Sequence, residues 1–170
     1  MLLKLWNIVT SLKNLRNKLL FGYIFLIGFQ NFSCQSKLAD TLYLNTVIDQ
    51  WHLNAANARL EDYFSVLSKD FVFLGTAPGE RWSKSQFYSF CKPYFDKGKA
   101  WDFKPFNRNW HIDYKRKIAW FDEDLSTWME GCRGSGICIF QKGRVKIAYY
   151  NLTVLIENEK IQSFIELRKQ

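Results

Sequence analysis

Apolar positions recur at helical spacing in three segments between residues 40 and 98. In the first segment, residues 40–57, they fall on one helical face at Leu44, Val47, Ile48, Trp51 and Ala55. A second, shorter helix is predicted over residues 60–67, where apolar side chains recur every three or four positions. The third helix is predicted to begin at Ser83, which stands three residues before Gln86 as in a capping box, and to end by Gly98.

Elsewhere the pattern is that of β-strands. Residues 71–74, which read FVFL, predict a strand that turns at GTAPG (75–79) and returns as a short partner strand at residues 80–82. Five further strand-like segments follow, separated by short polar links: 107–114, 116–122, 125–130, 136–140 and 145–156. This order predicts an α+β fold in which N-terminal helices pack in a strongly curved antiparallel β-sheet.

The composition indicates that the fold must accommodate many bulky aromatic side chains. The chain has 170 residues, which suits one domain of ordinary size plus an appendage. Its residues are 48% apolar and 18% aromatic, with seven tryptophans, so an intrinsically disordered chain is excluded. Bulky rings in this number need room, and a pocket for a small molecule is one place for them.

The basic charge does not indicate nucleic-acid binding. Half of the net charge of +8 comes from four basic residues within residues 1–33: Lys4, Lys13, Arg16 and Lys18. The remaining basic residues are scattered, and residues 122–124 form an acidic run among them. No stripe of positive charge is present that would neutralise successive phosphates.

The N-terminal segment resembles that of a bacterial lipoprotein. Residues 19–29 read LLFGYIFLIGF, an apolar run of signal-peptide length that is short for a membrane span. It is followed by Ser33 and Cys34, which resemble a loose lipobox, although Asn31 stands where most lipoboxes carry leucine. We therefore predict a signal segment at 1–33, lipidation of Cys34, a tether at 34–39 and a domain at 40–168. The alternative is an uncleaved signal-anchor helix, and both alternatives place the domain in the cell envelope, outside the cytoplasm.

The remaining cysteines predict neither a disulfide framework nor a metal site. Cys91, Cys132 and Cys138 are odd in number, and the spacing of the last two matches no common zinc motif. They are expected to be buried free thiols. The chain also lacks a P-loop, a dinucleotide fingerprint, a nucleophile elbow and an HExxH motif, so no cofactor is predicted.

Four segments closely resemble the SnoaL-like family of the nuclear-transport-factor-two-like superfamily. They are FVFLGTAPGERW (71–82), KPYFDKGKAW (92–101), AWFDEDLSTWMEGCRGSG (119–136) and KIAYYNLTV (146–154), which occur in family order. The resemblance implies a cone-shaped fold with three helices in the concave side of a bent sheet, an open-ended cavity, and homodimerisation through the sheet. Related cones include cyclases, isomerases, dehydratases, ligand binders and dimerisation modules, so the fold alone does not choose among these functions.

Two histidines are candidates for proton transfer. His52 follows Trp51 in the first helix and would be a general base if it points into the cavity; otherwise it is hydrogen-bonded structure. His111 and Asp113 share one face of a strand. They form either a proton shuttle or part of the wet outer surface of the sheet.

Aromatic and polar side chains are predicted around the cavity: Trp51, Tyr63, Trp82, Trp101, Trp120, Trp128 and Asn151. Arg81 and Arg133 either bind an anionic group of a ligand or form internal ion pairs. The leading hypothesis is an envelope protein that binds a small, largely apolar molecule in its cone. The alternatives are an isomerase, cyclase or dehydratase with His52 as general base, and a non-catalytic dimerisation module.

Overall fold

The computed structural model describes residues 40–169 of the chain. The chain divides after Tyr43, and the fold reported below is that of the unit that begins at Leu44. The predicted signal segment, Cys34 and the tether at 34–39 lie outside the described residues. Within residues 40–169, no helix is both long enough and apolar enough to cross a lipid bilayer.

Three helices precede most of the sheet, as predicted. Helix α1 covers residues 40–56, α2 covers Leu60–Ser65 and α3 covers Lys84–Phe95. The capping box at the start of α3 is confirmed, because the Ser83 hydroxyl accepts from the Gln86 amide and the Gln86 side chain accepts from the Ser83 amide. A 3-10 turn at Asn158–Lys160 and a short helix α4 at Ile161–Leu167 follow the last strand and were not expected.

Six strands form one sheet in the order β2-β1-β6-β5-β4-β3. The strands are β1 Leu67–Leu74, β2 Arg81–Ser83, β3 Lys104–Asp113, β4 Ile118–Thr127, β5 Glu130–Gln141 and β6 Arg144–Val154. All neighbours are antiparallel except β1 and β6, which pair in parallel. Register shifts interrupt three of the pairings, and such bulges bend a sheet. The helices therefore have a concave face to pack against, and the predicted α+β class is confirmed.

The prediction of five strands in the C-terminal half was wrong, because that half contains four. Segments 116–122 and 125–130 were assigned to separate strands, but β4 continues through both as far as Thr127. Its inward alternation is unbroken across the acidic run, since Phe121, Glu123 and Leu125 are all buried. The chain reverses only afterwards, at Glu130, whose φ is 67°.

The core lies between α1–α3 and the concave side of the sheet. Tyr150 of β6 is buried here next to two glycines of β5. A Cβ at Gly134 would lie 2.1 Å from the Tyr150 hydroxyl oxygen, and one at Gly136 would lie 2.5 Å from the Phe121 ring. Glycine at these positions lets large rings lie flat on the sheet.

The three cysteines of the domain are free and buried, as expected. Burial raises the pKa of the Cys138 thiol to about 12 and also raises that of Cys91 well above its ordinary value. A thiol held in the neutral form is a poor nucleophile. These residues therefore contribute to packing.

Candidate functional site

A cavity of about 200 Å³ opens between the helices and the concave face of the sheet. Aromatic side chains make up ten of its sixteen lining residues: Trp51, Tyr63, Phe73, Trp82, Phe87, Phe90, Trp101, Phe103, Trp128 and Tyr150. An apolar wall with few polar groups is typical of sites for small organic molecules.

The rings of this wall are packed against one another. Trp51 of α1 stacks on Tyr63 of α2, with ring centroids 5.0 Å apart and an interplanar angle of 12°. On the sheet side, Phe73 of β1 stacks on Phe87 of α3 at 4.2 Å. Because each ring is held by an element other than its own, the wall is fixed in shape by the fold itself.

The base of the cavity carries a buried polar cluster centred on Glu123 of β4. The Glu123 side chain is 0% exposed. Its Oε1 atom lies 2.7 Å from Nε2 of His52 and accepts a 2.8 Å hydrogen bond from the Tyr150 hydroxyl. Its Oε2 atom accepts a 2.8 Å hydrogen bond from Nε of Arg108. One carboxylate therefore joins α1, β3, β4 and β6.

Arg108 is itself held from several directions. Its Nη2 atom lies 2.7 Å from Glu123 Oε2 and 2.8 Å from Asp49 Oδ1. Its Nη1 atom donates to Oδ1 of Asn45, which also accepts from the Trp110 indole at 2.8 Å. Two carboxylates thus face one guanidinium, so the buried positive charge is compensated.

Opposing effects set the ionisation of Glu123. Burial raises its pKa, but the hydrogen bonds and positive charges of His52 and Arg108 outweigh burial and leave the pKa below the ordinary value. Burial, followed by the neighbouring Glu123, raises the pKa of Tyr150 well above its usual range. Glu123 is therefore a carboxylate and Tyr150 a neutral phenol that donates to it.

The ionised carboxylate fixes the tautomer of His52. An ionised carboxylate only accepts hydrogen bonds, so Nε2 of His52 carries the proton that it donates to Glu123. His52 is 5% exposed and lines the cavity, and the hydrogen bond of its ring within residues 40–169 is made by Nε2 and not by Nδ1. When His52 is neutral, this Nδ1 is the basic nitrogen.

An unpartnered polar atom lies in the same wall. The indole nitrogen of Trp51 is buried and has no hydrogen-bond acceptor among the described residues. Buried donors are normally paired, so an unpaired one in a cavity wall suggests a partner supplied from outside the protein.

More exposed residues form the mouth of the cavity. Trp128, in the link between β4 and β5, is 81% exposed. Glu80 also lines the cavity and lies in the 75–80 turn, where its Oε2 atom accepts a 3.0 Å hydrogen bond from the Ala77 amide. The turn is tight, because a Cβ at Gly75 would lie 2.1 Å from Glu80 Oε2. The carboxylate is therefore fixed at the rim.

The structure brings six of the predicted site residues to the cavity: Trp51, His52, Tyr63, Trp82, Trp101 and Trp128. Four others do not line it: Arg81, Trp120, Arg133 and Asn151. These four are on strands and lie next to inward-facing positions, so the alternation of side chains turns them to the opposite face of the sheet.

On that outer face the four residues have other surroundings. Trp120 stacks on His111 at 4.3 Å and is 42% exposed. Arg133 forms an exposed ion pair with Asp124 at 3.3 Å, and Asn151 donates to Thr153. Arg81 is exposed. None of the described residues that line the cavity is an arginine or a lysine.

Three residues of the polar cluster were not among the predicted site residues: Glu123, Arg108 and Tyr150. Strand alternation contains the missing signal, since Arg108 shares a face with Trp110 and Ile112, and Glu123 shares one with Phe121. The acidic residues 123–124 predict a polar link between two strands, whereas the alternation that continues from Phe121 to Leu125 indicates one strand. Among residues 40–169, no group of three or more His, Cys, Asp or Glu is placed to hold a metal ion.

Comparisons with known proteins agree with this fold. The sequence profile described as SnoaL-like domain matches residues 44–157. No curated protein sequence is significantly similar to the chain.

Solved structures with the same fold have low sequence identity. An NTF2-like protein of unknown function from Pseudomonas putida has a TM-score of 0.60 and 11% identity, over 72% of this chain and 92% of that one. A candidate scytalone dehydratase from Novosphingobium aromaticivorans has a TM-score of 0.60 and 8% identity, over 71% and 87%. A candidate ketosteroid isomerase from Parabacteroides distasonis has a TM-score of 0.54 and 9% identity, over 66% and 85%. At these identities the likeness establishes the fold alone.

Proposed function

Because the chain belongs to the SnoaL-like domain family, we propose that it binds a small, largely apolar molecule in the cavity between its helices and its sheet. The observation that carries this proposal is the aromatic cavity of about 200 Å³. A cavity of roughly 150 Å³ is enough to bind a benzene-sized molecule. The available volume therefore suits a ligand with one ring or a short branched chain.

A thermal-shift screen of the full chain against a metabolite library tests the binding proposal. A ligand at a hundred times its dissociation constant stabilises the folded state by roughly 2.7 kcal/mol, which is a readily measured shift. We expect small, mainly apolar compounds to raise the melting temperature. If no compound produces a shift, the binding proposal is contradicted.

A second candidate function is proton transfer by His52, and the buried hydrogen bond from its Nε2 atom to Glu123 favours it. A carboxylate behind an imidazole fixes its tautomer and strengthens the other nitrogen as a base. Removal of a proton next to a carbonyl is the chemistry of isomerases, cyclases and dehydratases, the class to which two structural neighbours are assigned. Arg81 and Arg133 are not placed to stabilise the developing oxyanion.

His52→Gln tests this second function. Glutamine still has an N–H group to donate to Glu123 but has no basic nitrogen. If His52 is the base, the variant keeps binding a compound found in the screen but no longer converts it, as followed by NMR of the reaction mixture. Conversion at the wild-type rate would exclude His52 as the base.

We also propose a homodimer formed through the outer face of the sheet. On this face an apolar row crosses three strands. Trp120 of β4 is paired in register with Ile137 of β5, and Ile137 is paired with Tyr149 of β6. Trp120 and Ile137 are each about two-fifths exposed. Contiguous exposed apolar surface of this kind marks an interaction site, and a second copy of the chain has the matching face.

The cellular location remains the one that the N-terminal sequence favours. We propose a lipoprotein anchored at Cys34, with the domain outside the cytoplasm. The support for this proposal is the apolar run at 19–29 followed by the Ser33-Cys34 pair. Anchoring would leave the cavity accessible to molecules of the cell envelope.

A further inference from the structure

The mouth of the cavity carries negative charge. Glu80 is the one acidic residue among the described residues that line it, and none of these is a lysine or an arginine. Outside residues 1–33, which hold four of the eight excess positive charges, the chain still has a net charge of +4. A negative cavity mouth on a basic protein is therefore a local feature of this site, not a reflection of the overall charge.

Trp128 provides an exposed aromatic surface in the lining of the same cavity. It lines the cavity and is 81% exposed, and no aromatic ring of the described part of the chain stacks on it. The face of an indole carries partial negative charge, and tryptophan is the best of the aromatic side chains at attracting a cation. A carboxylate and a free indole at the rim therefore attract the same kind of group.

The base of the cavity does not oppose a cation. The Arg108 guanidinium lies within 2.8 Å of both Glu123 and Asp49, so two negative charges face its single positive charge. His52 is paired with the same Glu123. Whether His52 is protonated or neutral, the cluster has no excess positive charge.

From this arrangement we infer that the ligand is a small organic cation, such as an amine or quaternary ammonium compound with an apolar body. This inference rests on the proposed binding function of the same cavity and names its ligand class. The cationic group lies at the mouth between Glu80 and Trp128, and the apolar body enters the aromatic interior. Carboxylates and phosphates are not the preferred ligands.

Two compounds of nearly identical shape isolate the charge. Choline and 3,3-dimethylbutan-1-ol differ by replacement of a quaternary nitrogen with a quaternary carbon. Calorimetric titration of the full chain with each compound gives two dissociation constants. We expect choline to bind about fivefold tighter or more, because the face of an aromatic ring attracts a cation but not the neutral alcohol.

Glu80→Gln and Glu159→Gln give a matched pair of variants. Both remove one negative charge, but Glu159 is exposed in the C-terminal 3-10 turn and does not line the cavity. We expect the preference for choline to shrink in Glu80→Gln and to persist in Glu159→Gln. Equal or tighter binding of the alcohol by the wild-type chain would overturn the cation inference and leave the binding proposal intact. Saturable binding of neither compound would also overturn the cation inference, whereas the binding proposal is decided separately by the thermal-shift screen.

Discussion

His52 of α1 and Glu123 of β4 are 71 residues apart in the sequence and are joined by a 2.7 Å contact between Nε2 and Oε1. The contact is buried, and Glu123 also receives hydrogen bonds from Arg108 and Tyr150. One carboxylate therefore ties the first helix to three strands at the base of the cavity. The shape of the site and the stability of the fold depend on the same group.

Glu123→Gln is expected to destabilise the domain strongly. The change removes a buried negative charge and leaves the Arg108 guanidinium with the half-exposed Asp49 as its remaining carboxylate. Breaking a buried ion pair by removing one partner costs roughly 3–5 kcal/mol. Urea unfolding of the wild-type and variant chains measures the difference.

Asp124→Asn is the matched control for that substitution. Asp124 is the next residue of β4 but faces outward, where its pair with Arg133 is exposed. A surface pair contributes less than about 1 kcal/mol. If the two variants were equally stable, the buried cluster would not have the structural role assigned to it.

The contribution of Glu123 to the free energy of unfolding should disappear in acid. Its pKa in the folded state is lower than the ordinary value because the hydrogen bonds and charges of His52 and Arg108 outweigh the effect of burial. A lowered carboxyl pKa stabilises the fold above the unfolded-state value of roughly 4.3 and ceases to do so as the pH falls through the folded-state value. The difference in unfolding free energy between wild type and Glu123→Gln should therefore shrink below about pH 4. A difference that stayed constant down to pH 3 would contradict this assignment.

Trp120→Glu should convert the proposed dimer to a monomer. A carboxylate in the middle of the apolar row on the outer face would have to lose its hydration in the interface. Sedimentation of the full chain measures the change, with Leu167→Glu on the exposed α4 helix as a control of equal chemistry. A dimer that survives Trp120→Glu but not Leu167→Glu would place the interface elsewhere.

Cys34→Ala should release the protein from the membrane fraction. Lipidation requires the thiol, whereas a spanning anchor would depend on the apolar run alone. Ser36→Ala in the same tether should leave the distribution unchanged. If Cys34→Ala protein stayed in the membrane, the segment would be a signal anchor.

Much of the fold was predictable because it follows from local patterns. The helical periodicity around Trp51, the capping box at Ser83 and the turn at 75–79 each specify one element with short-range information. The predicted break between two strands at residues 123–124 is wrong, because acidic residues there are typical of a polar link whereas β4 continues through them. Glu123 is buried there because Arg108 and His52 neutralise it, and those partners come from distant parts of the chain.

The site was predictable only in part, for a related reason. Residue type selected the aromatic lining correctly at Trp51 and Trp82, since large rings on inward positions have few other places to go. The same criterion placed Trp120 at the cavity, although its neighbours Ala119 and Phe121 are the inward positions of β4. A shift of one residue along a strand reverses the face. Which face of the sheet a strand residue lies on is therefore predicted better by its place in the alternating pattern than by its side-chain chemistry.

Whether the aromatic cavity is the functional site is tested by a calorimetric titration of a compound from the thermal-shift screen into three forms of the full chain. In Met129→Trp, a larger side chain blocks the cavity at a half-buried lining position, whereas Leu53→Trp adds the same indole at an exposed position of α1 outside the lining. We predict saturable binding of one molecule per chain to the wild type and to Leu53→Trp, and at least tenfold weaker binding to Met129→Trp. Equal affinity in all three forms would show that the ligand binds elsewhere and that the aromatic cavity is not the functional site.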